Sequence, residues 1–160
     1  MSISAAEELL HQLEQHYDDY REGRGRRPRK KGFLQMLSHW VAYDAHDIAP
    51  YHEDFLLGIN RLTDSLAETL KGLSQEEQAE GRRVAVRAVE LLLQPKPQQP
   101  QNDREWYLMT AEYAAAPLLP FLSPEELRAQ RDNMLAHTPR KLMYPKQLEL
   151  LETAEKLLGE

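Results

Sequence analysis

Between residues 55 and 73 the apolar side chains Phe55, Ile59, Leu62, Leu66, Leu70 and Leu73 recur at steps of three and four. An α-helix turns once every 3.6 residues, so this spacing draws them into one seam and leaves a face that other elements must cover. The same period returns along the chain wherever prolines do not interrupt it. Leu9, Leu10, Leu13, Tyr17 and Tyr20 form a stripe over residues 4–20, and Val84, Ala85, Ala88, Val89, Leu91 and Leu92 form another. No strand-type alternation and no fixed repeat is visible, and seven glycines in 160 residues are too few for many tight β-turns. The chain is therefore expected to be all-α, a bundle or array of about seven helices forming a single domain over residues 1–160.

Local signals set the expected boundaries. Ser4 is placed to cap the first helix. A second helix runs from Gly32 to near Asp47 with Phe33, Met36, Leu37, Trp40 and Val41 on its stripe, and Pro50 opens the third. Ser74 and Glu77 have capping-box spacing for a fourth, which extends to about Gln94 and whose polar first turns are expected to project or fray. The stretch "PKPQQPQN", residues 95–102, reads as an extended Pro/Gln connector dividing a four-helix N-terminal part from a three-helix C-terminal part. Asp103 would cap the fifth helix, which Pro117 and Pro120 should stop. Ser123, Pro124 and Glu126 mark a sixth helix to about Ala136, and Pro145 begins a seventh that Gly159 closes.

Charge is divided unevenly along this pattern. Residues 21–31, "REGRGRRPRKK", hold seven basic residues and one acid, a balance of +6; the other 13 basic and 25 acidic residues give −12, for a total of −6. Gly23, Gly25, Pro28 and Gly32 make the basic loop 21–32 a connector rather than a recognition helix. Arg21, Arg24, Arg26, Arg27, Arg29, Lys30 and Lys31 are its candidate binding residues, and the guanidinium forks suit carboxylates and phosphates alike. Docking on an acidic protein surface, in this chain or a second copy, is the favoured reading. Binding of a polyanion or nucleic acid ranks below it because the chain as a whole is acidic, and a solvated connector is the remaining alternative.

Chemistry-bearing motifs are sparse. There is no cysteine, no phosphate-binding glycine loop and no nucleophile elbow, so no catalytic residue, metal or cofactor is assigned and the reading leans away from an enzyme. Glu8 and His11 make one E-x-x-H, where di-iron bundles use two. His39, Asp44, His46, Asp47, His52, Glu53 and Asp54 are crowded into sixteen positions, but His39 and His46 stand about 10 Å apart along a helix axis, and a solvated helix end is the expectation.

A possible pocket is placed at Asp44, Glu112, Tyr43 and Tyr51. Asp44 falls on the apolar stripe of the second helix, and Tyr43 and Tyr51 are aromatics flanked by charge. Glu112 is the one charge within residues 106–122, so it should be desolvated and either paired, with Arg61 or Arg87, or shifted toward its neutral form. That run is too short and too interrupted by prolines to span a membrane, and the acidic start of the chain is unlike a secretory signal, so cytoplasmic residence without membrane contact is expected. The functional expectation is a small helical interaction or adaptor module that binds a protein partner or itself. The alternative is a helical protein that binds a small molecule or metal, with its pocket at Glu112 or in the His39–Asp54 segment.

Overall fold

The computed structural model describes residues 2–23 and 45–160, the side chains of 45–50 excepted. Among these residues the architecture is all-α. Helix α1 spans Ile3–Arg21, α2 Ala45–Lys71, α3 Gln78–Leu92, α4 Asp103–Thr110, α5 Pro124–His137 and α6 Pro145–Leu157. Three 3₁₀ segments lie between them, Gln75–Glu77, Ala111–Phe121 and Arg140–Leu142. The expected second helix falls mostly outside the described residues, and its last positions, 45–47, belong to α2.

Helices α1 and α2 run antiparallel, with Tyr20 against Tyr51, His52 and Phe55, and His16 further along against Phe55. Close approach depends on Gly58, because a Cβ there would collide with the His16 imidazole. Helix α3 packs on α1, and the long 3₁₀ segment Ala111–Phe121 lies against α2, α3 and α6 at once. Ala111, Ala114, Ala115, Leu118 and Leu119 of this segment are all buried. One buried cluster runs from Ala6 and Leu13 through Ile59, Leu66, Val89 and Leu118 to Leu127, Leu150 and Ala154, so it draws residues from both sides of the 95–102 connector.

Several boundaries differ from expectation, each for a local reason. Ser2, not Ser4, caps α1, its Oγ accepting from the Ala5 amide at 3.2 Å. Asn102, not Asp103, caps α4 through a 2.9 Å bond from the Glu105 amide. Helix α2 begins five residues before Pro50 instead of at it. As the sixth residue of α2, Pro50 removes a single intrahelical donor, and the helix runs on through it. Pro117 and Pro120 do not end the fifth helical element; they sit inside the 3₁₀ segment that continues it. The small side chains of Ala111, Ala114 and Ala115 let this tighter helix sit close to its neighbours.

The Ser74 and Glu77 pair is redirected rather than absent. Ser74 caps no backbone amide; its hydroxyl donates to Glu77 Oε1 at 3.2 Å, and Glu77 Oε2 accepts from the Ile3 amide at 3.1 Å. The start of α3 is thereby fastened to the start of α1, and buried Gly81 lies flush against Leu70 and Leu73, so these turns do not project. The expected capping box at Ser123 and Glu126 is present, with bonds of 3.2 and 2.7 Å, and Gly159 ends α6 at φ +79°.

Leu66 is fully buried while Leu62 is only partly so. Leu66→Ala is expected to lower the unfolding free energy by about 2–5 kcal/mol in a urea titration, and Leu62→Ala by less. A Leu66→Ala loss under about half a kcal/mol would place the seam outside the core.

Candidate functional site

The 95–102 connector carries one charged side chain, Lys96, and it points inward. Its ammonium donates to the Leu92 carbonyl at 2.7 Å, to the Gln94 carbonyl at 2.9 Å and to Glu112 Oε1 at 3.4 Å. The first of these is an otherwise orphaned carbonyl in the last turn of α3, where the helix dipole also favours a cation. Glu112 reaches the same point from the second residue of the long 3₁₀ segment. The two side chains are only 8% and 15% exposed, so each is dominated by loss of water. Burial pushes Lys96 down from the usual lysine range and Glu112 up from the usual carboxylate range, and each partner's charge partly offsets the shift of the other.

The expected arginine partners of Glu112 are elsewhere. Arg87 pairs with Glu14 at 3.4 Å on the surface and Arg61 is exposed on α2. Lys96 takes the role because it follows the α3 terminus directly. Beside the pair is a cavity of about 30 Å³ lined by Met109, Met134, His137, Met143 and Gln147 among others. That is room for one water, not for an organic substrate.

Tyr51 does not line this cavity. It belongs to an aromatic cluster that adjoins the Gly58–His16 contact, in which Tyr20 stacks on Phe55 at 3.8 Å and lies 5.3 Å from Tyr51. Buried His52 stacks on Tyr107 of α4 at 4.9 Å, and its Nδ1 meets the Tyr20 hydroxyl at 2.5 Å. Burial lowers the His52 pKa and favours the neutral ring, whose Nδ1 shares one hydrogen bond with the Tyr20 hydroxyl. A solvated end was expected around this position; Glu53 and Asp54 are exposed, but His52 is a hydrogen-bonded core residue. Its place on the Phe55–Ile59 seam was the available signal, at three residues before Phe55.

The other candidates are dispersed. Glu8 and His11 are exposed on α1, with Glu8 accepting from Gln12 at 3.2 Å. Among the described residues no group of three histidines, aspartates or glutamates is arranged to hold a metal ion. Arg21 bonds Asp18 at 2.8 Å and Gln94 at 3.2 Å from the exposed end of α1. Arg24, Arg26, Arg27, Arg29, Lys30 and Lys31 lie outside the described residues, as do His39, Tyr43 and Asp44, and the side chains of His46 and Asp47. Compared with protein families, with characterised proteins and with solved structures, the chain has no match.

Two measurements probe these environments. Lys96→Met leaves a buried carboxylate without its cation and is expected to cost about 3–5 kcal/mol by urea denaturation, most of it recovered when Glu112→Leu is added. A loss below about 1 kcal/mol would mean that the pair is solvated. For His52 the folded pKa lies below the usual 6.5, so its contribution is complete above that value and is lost as pH falls through the lowered folded pKa. Wild type should therefore lose more stability than His52→Gln on acidification below pH 6.5, and parallel pH profiles would contradict the assignment.

Proposed function

We propose that this chain is a non-enzymatic helical interaction module of the cytoplasm that associates with a second copy of itself, the basic run 21–31 docking on acidic surface of the partner copy. The observation that carries this reading is the division of charge, +6 within the run and −12 in the remainder. Two such copies are complementary to each other, and each arginine fork can take a carboxylate in two parallel hydrogen bonds. Arg21, the first residue of the run, stands at the exposed end of α1. The competing pocket reading loses support at Glu112, whose charge is matched by Lys96 beside a cavity of about 30 Å³. No helix among the described residues is long and apolar enough to cross a membrane.

Sedimentation equilibrium of the full chain at low salt should show concentration-dependent association. Raising the salt to about 1 M, where the screening length falls to about 3 Å, should reduce it. Replacing Arg24, Arg26, Arg27 and Arg29 by Ser should abolish it with the helical circular dichroism unchanged. A wild type that stays monomeric at every concentration, or a variant that associates as the wild type does, overturns the proposal. Salt-sensitive retention on heparin, lost in the variant of such a monomer, would assign the run to polyanions instead.

A further inference from the structure

Three of the chain's five methionines, Met109, Met134 and Met143, line the cavity of about 30 Å³ beside Lys96 and Glu112. Met1 and Met36 lie outside the described residues, so every described methionine borders this one space. No helical period relates the three. Met109 comes from α4, Met134 from α5 and Met143 from the turn before α6, and the fold alone brings their sulfurs to a common cavity.

His137 lines the same cavity, three residues after Met134 and so on the same face of α5. Its Nδ1 lies 2.9 Å from the Asn133 carbonyl oxygen. A carbonyl only accepts, so in the neutral ring Nδ1 carries the proton and Nε2 keeps a bare lone pair. Metal-binding histidines are oriented in this way, one ring nitrogen donating to a backbone oxygen while the other ligates.

The stronger hydrogen-bonding groups at the cavity are engaged elsewhere. Lys96 spends its protons on two carbonyls and Glu112, Asn133 donates to the Leu93 carbonyl at 3.0 Å, and Gln147 Oε1 accepts from the Tyr144 amide at 3.0 Å. What remains is mostly sulfur. A buried water wants about two to four polar partners, and thioethers are weak ones. Hard cations want several oxygens, and zinc favours thiolate, imidazole and carboxylate. Thioether sulfur with imidazole is the ligand set that selects copper(I). That no three histidines, aspartates or glutamates converge is no obstacle, because sulfur supplies most of the ligands. The Lys96 and Glu112 charges cancel, and a neutral setting tolerates a monocation better than a dication. Metal–sulfur bonds are about 2.3 Å long, so the walls of a water-sized space must close by roughly 1 Å, which unbranched methionine side chains can do.

We propose that Met109, Met134, Met143 and His137 form a binding site for copper(I), held by the three thioether sulfurs and His137 Nε2. The site uses no residue of the basic run and is independent of the self-association proposed above.

Silver(I) is the probe, sharing the soft preference of copper(I) without its redox chemistry, in chloride-free buffer; copper(I) under ascorbate is the second. Calorimetric titration of the full chain should give one ion per chain, undisturbed by an equal concentration of zinc(II). With methyl-labelled methionine, the Met109, Met134 and Met143 signals should shift together on adding silver while those of Met1 and Met36 stay. Leucine nearly conserves the volume of methionine, so Met109→Leu, Met134→Leu and Met143→Leu combined should abolish binding with the helical circular dichroism unchanged. Met134→Leu and His137→Gln alone should each weaken binding at least tenfold, and they decide the matter if the triple variant does not fold. No binding, shifts confined to Met1 or Met36, displacement by zinc(II), or undiminished affinity in these variants overturns the proposal. Sedimentation of the same samples reports separately on the basic run.

Discussion

The Lys96 ammonium ties three pieces of backbone to one point. It closes the last turn of α3, fixes the first residues of the connector and meets Glu112 at the head of the long 3₁₀ segment. All three of its protons are spoken for, which is the condition under which a buried charge is tolerated. An apolar pair of similar volume could fill the same space, but it would not tell the chain where α3 must end. The pair therefore acts on geometry more than on net stability, and it sets how α5 and α6 come to rest on the N-terminal helices.

Across the Tyr17 ring from this pair, polar groups are embedded among rings instead of at a helix terminus. The Tyr20–His52 bond holds α1 to α2 where the apolar seam gives way to aromatic residues. Burial favours the neutral His52 ring there, so the same burial that makes the contact rigid also makes it sensitive to acid. The two sites thus differ in kind. One is a matched ion pair with its donors satisfied, and the other retains the buried Tyr51 hydroxyl, which has no partner among the described residues.

The helices were legible because their signal is periodic and redundant: exchanging one residue of the Phe55–Leu73 seam would not have hidden it. Caps were less legible, since Ser2 and Ser4, or Asn102 and Asp103, are chemically alike and only the backbone decides between neighbours. Glu112 stood out as a lone charge in an apolar run, yet its partner did not. Arg61 and Arg87 lie on periodic helices and drew attention, whereas Lys96 sits between two prolines in a segment whose composition reads as solvent-exposed. A side chain that turns inward from an irregular connector leaves no periodic trace.

The long 3₁₀ segment bears on how this chain reaches its fold. Ala111–Phe121 lacks two amide donors at Pro117 and Pro120 and runs for eleven residues in a conformation that is rarely stable beyond one turn on its own. Its order therefore comes from the helices around it, α2, α3 and α6, which arrive from both sides in sequence. Contacts of that separation carry a loop-closure cost before they return any burial. The assembly of α1, α2 and α3 should thus precede the docking of this segment, and a ribosome would have to release the sequence through α6 before the core could close.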